Sequence, residues 1–173
     1  APYTGAVTGL VNAALAKFDG REAEMTAGTI DTYKATLNGL AAADLAGVNA
    51  AIATIAEAAA AVQANIDGWV KYEKEINRGN ETRNRTDLSP STQMSQLAAY
   101  VARQAPAILK AKALSTEELL AEVAKLTQLI EDAIRNSLQV NSNVTDMFLV
   151  NAIFDNKADG KNDGQGWEGK WTD

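Results

Sequence analysis

The chain has 173 residues, 46% of them hydrophobic but only 6% aromatic, with three prolines and a formal charge of −6. That length suits one domain with a core that needs no disulfide or structural metal, and a chain rich in alanine and poor in aromatic residues favours helices over sheets. The acidic balance, with a pI near 4.7, excludes the basic stripe that a phosphate backbone requires, and the absence of cysteine and histidine removes thiolate, imidazole and ordinary zinc chemistry.

Val7, Leu10, Val11, Ala14, Leu15 and Phe18 recur at helical spacing before Asp19-Gly20, which predicts a first helix over 4–18. Ile30, Tyr33 and Leu37 carry the same period, and Asn38-Gly39 supplies a stop, so a second helix is expected over 22–37. Leu45, Val48, Ile52, Ile55, Ala59, Val62, Ile66 and Trp69 alternate three- and four-residue steps. This is the pattern of a coiled-coil seam, and it predicts a long central helix over 45–78, capped by Asp44 and stopped by Gly79. Its most apolar part, 45–66, is interrupted by Asn49, Thr54, Glu57, Gln63 and Asn65, so it is not expected to span a bilayer.

The basic residues Lys71, Lys74, Arg78, Arg83 and Arg85 alternate with Glu73, Glu75, Glu81 and Asp87, which describes a solvated surface and no nucleic-acid partner. Residues 79–89 show no apolar period and read as an exposed loop. Ser89 followed by Pro90 has the form of a helix start, and the stripe from Met94 to Leu109 carries that helix to about residue 113, with Pro106 kinking or splitting it. Ser115 and Glu118 form a capping box for a helix over 116–139. Met147, Phe148, Leu149, Val150, Ile153 and Phe154 predict a short apolar helix over 146–154.

Residues 155–173 turn polar and glycine-rich and carry Trp167 and Trp171. Their opening resembles a calcium loop, but Lys157 stands where an oxygen ligand is needed and Gly166 where a bidentate acid belongs, so no metal site is assigned. The sequence thus predicts an all-α protein: an antiparallel bundle of five or six helices over 1–154, with a long central helix around one core, and an irregular polar tail over 155–173.

Three Asn-x-Thr sequons, at Asn80, Asn84 and Asn143, are candidate glycosylation sites, the first two in the expected loop. The acidic pairs Glu117-Glu118 and Glu131-Asp132 do not face each other on a helix, and Tyr33, Tyr72 and Tyr100 belong to no recognisable catalytic constellation. No catalytic residue and no cofactor is assigned, and the chain is not expected to be an enzyme. The alanine-rich stripe of the central helix is read as tight packing, with the lining of an apolar cavity as the other reading. The start Ala1-Pro2-Tyr3 without methionine fits a mature form after leader removal, or equally a trimmed chain.

The stretch Val11-Asn12-Ala13-Ala14-Leu15-Ala16-Lys17-Phe18-Asp19-Gly20, followed by an Ala- and Thr-rich helix, resembles the opening of fungal cell-wall galactomannoproteins and hydrophobic surface-binding proteins. Leu88-Ser89-Pro90 and the helices around Leu109 and Leu119 are similar to their second half. The resemblance implies a secreted or cell-surface helical domain that attaches to walls or hydrophobic surfaces, with lipid binding in some members. The function expected is a non-enzymatic binding or surface-associated protein holding an apolar, lipid-like ligand or adsorbing to hydrophobic surfaces. The alternative is a structural subunit of a filament, virion or surface coat, for which self-association is expected.

Overall fold

A computed structural model describes residues 2–138, together with 159–160 and 166–171. Six α-helices fill the first range: α1 (Pro2–Ala16), α2 (Thr29–Asn38), α3 (Leu45–Arg83), α4 (Thr92–Arg103), α5 (Pro106–Lys110) and α6 (Thr116–Asn136). The all-α bundle with a long central helix is as the sequence predicts. In the tail, the backbone of β1 (Asp159–Gly160) pairs antiparallel with that of β2 (Gly166–Trp171), with a break in register between Asp159 and Gly160. The short helix expected over 146–154 lies outside the described residues, as do most of the tail and the calcium-like stretch.

Helix α3 is the axis. At 1.5 Å per residue its 39 residues extend about 58 Å, and every other helix packs against it. Asp44 caps it as expected, Oδ1 accepting from the Gly47 amide at 2.8 Å. Instead of one core, two hydrophobic clusters lie along it. Val7, Val11 and Phe18 from the first helix and its exit turn, with Tyr33 and Leu37 of α2, pack on Val48, Ala51, Val62 and Ile66. Leu97 and Val101 of α4, Leu109 of α5, and Leu119, Leu126 and Ile130 of α6 pack on Trp69, Tyr72 and Ile76. Residues 2–138 therefore form two lobes threaded on one rod.

The seam inferred for α3 is corrected at its start, where Leu45 is 63% exposed and Ile52 47% exposed, while Val48, Val62, Ile66 and Trp69 are buried. A straight helix of 3.6 residues per turn drifts roughly 20° per heptad against a strict seven-residue repeat. Positions aligned with the second lobe have rotated outward by the beginning of the first.

Boundaries also differ from expectation in three places. Helix α3 runs through Gly79 to Arg83, because Gly79 serves as a point of close approach and not as a stop. A Cβ there would lie 3.1 Å from Val101 Cγ2 and 3.5 Å from Leu97 Cδ1. Half of the expected 79–89 loop is thus the last turn of α3, with Thr82 buried. The expected 22–37 helix is broken: Glu22–Glu24 is a single 3₁₀ turn, Met25 is extended, Gly28 has φ +87°, and α2 begins at Thr29. Ser91, not Ser89, caps α4, its Oγ accepting from the Met94 amide at 3.0 Å. Pro90 disfavours helical angles at Ser89. The Ser89 amide instead donates to the Ser137 carbonyl at 2.6 Å, beside an antiparallel bridge between Leu88 and Leu138 that takes over where α6 ends.

Pro106 splits the helix. Ala105 takes extended angles before it and α5 starts on the proline itself. The capping box on α6 is present in both halves, with Ser115 Oγ accepting from the Glu118 amide at 3.1 Å and Glu118 Oε1 accepting from the Ser115 amide at 2.8 Å.

Candidate functional site

The two lobes meet across a buried polar knot. Asn65 sits on the apolar face of α3 and is 4% exposed. Its Oδ1 accepts from the Thr26 amide at 2.8 Å, and its Nδ2 donates to Thr26 Oγ1 at 3.0 Å and to Thr116 Oγ1 at 3.2 Å. Trp69 Nε1, one turn on, donates to Thr26 Oγ1 at 2.9 Å. One α3 carboxamide thereby fixes the turn before α2 and the first residue of α6. The same tertiary bonds hold Thr26 out of a helix and explain the break at 25–28.

Lys110 of α5 reinforces the junction. Its Nζ donates to the Ala23 carbonyl at 2.7 Å and to Glu73 Oε2 at 3.2 Å, and lies 5.2 Å from the Trp69 ring centroid. The Ala27 amide donates to the Lys110 carbonyl at 3.3 Å.

Beside this knot opens a cleft of about 540 Å³, with Thr26, Gly28, Thr29, Thr32, Tyr33 and Thr36 on the α2 side. Ala58, Ala61 and Val62 of α3 and Ala113, Leu114, Ser115 and Thr116 at the start of α6 complete it. None of the lining side chains is charged. Alanines on α3 leave the space that larger side chains would fill. Ala113 has φ +54°, a left-handed conformation that costs a non-glycine residue about 1–2 kcal/mol and turns the chain into α6.

A second groove, of about 390 Å³, runs between α1 and α3 and is lined by Leu10, Ala13, Lys17, Ile52, Ile55, Ala56 and Ala59 among others. Apart from Lys17, it belongs to an unusually uncharged part of the chain. Helix α1 has no charged residue, and the first in α3 is Glu57, whereas Asp67 to Arg83 carries Asp67, Lys71, Glu73, Lys74, Glu75, Arg78, Glu81 and Arg83. Among the described residues, α3 is the one helix long and apolar enough to cross a membrane by length and composition, and only 17% of its most apolar window is buried. The core helix of a soluble protein meets the same criterion.

The tyrosines weighed as catalytic groups are spent on packing. Tyr33 Oη donates to the Ala14 carbonyl at 2.8 Å, Tyr72 Oη to the Gln104 carbonyl at 2.5 Å, and Tyr100 Oη to Glu122 Oε1 at 2.7 Å. Burial holds all three phenols above the usual tyrosine pKa, and for Tyr100 the bonds to Tyr72 and Glu122 add to the effect. Of the acidic pairs, Glu118 closes the α6 cap and Asp132 Oδ1 accepts from Arg135 and Gln128 at 2.9 Å. No group of three or more acidic side chains is placed to hold a metal ion among the described residues.

The sequons separate. Asn80 lies inside α3, its carbonyl accepting from Asn84 Nδ2 at 2.9 Å, and the Thr82 hydroxyl of its sequon is buried and donates to the Arg78 carbonyl at 2.8 Å. Asn84 is the exposed C-cap residue of the same helix, and Asn143 lies outside the described residues.

Sequence reasoning took Asn65 only as an interruption of an apolar run and passed over Thr26 and Thr116. The available signal was a carboxamide on a helix face shared with Val62, Ile66 and Trp69, a position where a polar group needs a partner. No family model matches the chain, and no curated protein or solved structure matches it significantly.

Proposed function

We propose that this chain is a secreted or cell-surface, non-enzymatic binding protein that holds an apolar, lipid-like molecule in the cleft between its two lobes. The observation that carries the reading is the cleft itself: large enough for a small ligand, floored by Ala58, Ala61 and Val62, and free of charged side chains. Secretion and surface association rest on the resemblance carried by Val11 to Gly20 and by Leu88-Ser89-Pro90. Organic extraction of the purified protein followed by mass spectrometry tests it. A co-purifying apolar molecule, displaced when Ala61→Trp fills the cleft, is the expected result; an empty extract and no uptake of added lipid count against it.

A second reading, adsorption to an apolar surface or self-association as a coat subunit, is favoured by the uncharged surface of α1 and of α3 before Glu57, which exposes Leu10, Leu45 and Ile52. Depletion by hydrophobic beads that Leu10→Glu with Ile52→Glu abolishes supports adsorption, and concentration-dependent light scattering supports self-association. A monomer that ignores the beads removes both.

A further inference from the structure

We infer that the interlobe cleft receives a hydrogen-bond acceptor, the carbonyl or carboxylate oxygen of an apolar ligand, on the hydroxyl protons of Thr26 and Thr116. This rests on the cleft being a ligand site and adds which end of the ligand is recognised and how.

Proton placement fixes which atoms are left to bind a ligand. A backbone amide can only donate, so the Thr26 N–H facing Asn65 at 2.8 Å identifies that carboxamide atom as oxygen. The opposite end is then the NH₂ group, and its two hydrogens go to Thr26 Oγ1 and Thr116 Oγ1. Thr26 Oγ1 also accepts from Trp69 Nε1, which fills both of its lone pairs. Its own proton must be donated elsewhere. Among the described residues neither threonine hydroxyl has an acceptor for its proton, although Thr26 is 4% exposed and both residues line the cleft. A buried donor left unused is costly and uncommon in folded proteins.

The surroundings fit the same chemistry. Helix α2 starts at this wall on Gly28, which has no side chain to cap the first-turn amides, so the positive end of its dipole adds to the attraction for an acceptor oxygen. Across the cleft, Ala58, Ala61 and Val62 offer no polar partner and suit the ligand's apolar body. The class defined is an apolar chain ending in a carboxylate or an ester, and a cationic amphiphile is disfavoured.

The test is an NMR titration of the full chain with octanoate, methyl octanoate and octyltrimethylammonium, following the Trp69 indole and Thr26 amide protons. Both acceptor-bearing probes are expected to shift these signals and to bind at least about tenfold more tightly than the ammonium. Octanoate exceeding its methyl ester assigns the site to free acids, and equal binding assigns it to any carbonyl. Thr116→Val, at a half-exposed position, is expected to weaken both by about tenfold while Thr116→Ser restores them. Equal affinity for all three probes, unchanged by Thr116→Val, overturns the donor assignment and leaves the cleft as an apolar site. No response of cleft residues to any probe overturns the assignment together with the reading on which it rests.

Discussion

Replacing Asn65 by alanine measures what joins the two lobes. The substitution strips the buried Thr26 amide of its acceptor and removes the donor to both threonine hydroxyls. The hydroxyls can turn to new partners, but the amide cannot, and an orphaned buried donor costs about 1–3 kcal/mol. Adding roughly 1 kcal/mol for the space left by the carboxamide gives a loss of about 3 kcal/mol, a large part of the roughly 5–15 kcal/mol that holds a typical domain together. For a chain of this size that lowers Tm by about 6–12 °C. Urea unfolding followed by circular dichroism gives the free energy, and hydrogen exchange at the Thr26 amide reports the local event. Gln63→Ala is the matched control on the same helix, since it removes only an exposed bond to Asp67 and should change stability by less than about 0.5 kcal/mol. A loss below about 1 kcal/mol for Asn65→Ala, or unchanged protection at Thr26, refutes the idea that this carboxamide holds the junction.

Three further outcomes follow from the same structure. Gly79→Val drives methyl groups into Val101 and Leu97 and should lower stability by about 1–3 kcal/mol in a urea melt; an unchanged melt would contradict the close approach. Tyr33, Tyr72 and Tyr100 have folded-state pKa values raised by burial, so their contribution to stability is complete below the ordinary tyrosine value of about 10 and is lost as pH rises beyond it. An alkaline titration should therefore show their phenolate absorbance appearing together with the loss of helical dichroism; phenolate formation at any of these three positions in a fully helical protein would contradict the burial argument. In a eukaryotic secretory host, peptide mass mapping should find glycan at the exposed Asn84 and none at Asn80, whose sequon threonine is buried with its hydroxyl bound to Arg78.

The helices were legible wherever apolar period and end signals agreed. Asp44, the Ser115 and Glu118 box and Pro106 each act locally, through a side chain reaching a nearby amide or a ring excluding a hydrogen bond, and each appears where the sequence puts it. What escaped notice depends on partners distant in the chain. Gly79 looks like a stop until Val101 and Leu97 lie against it, and the break at 25–28 is fixed by Asn65, 39 residues from Thr26. The division into two clusters was hidden for a related reason: a seven-residue pattern shows that α3 has a buried face, but not that this face rotates and changes partners near residue 66. The site was least legible, because its hydroxyls come from the α2 entry and the α6 start and meet only once the carboxamide between them is in place.

A beam clamped at two places by different jaws can loosen in one without failing in the other. The jaw made by α1 and α2 and the jaw made by α4, α5 and α6 share the beam and, among the described residues and away from the knot, no buried apolar cluster. Sequence change inside one jaw and sequence change inside the other should then add almost independently. The lobe built on the part of α3 before Asp67, where Glu57 is the one charged residue of that helix, can then be remodelled while the other lobe keeps its own core.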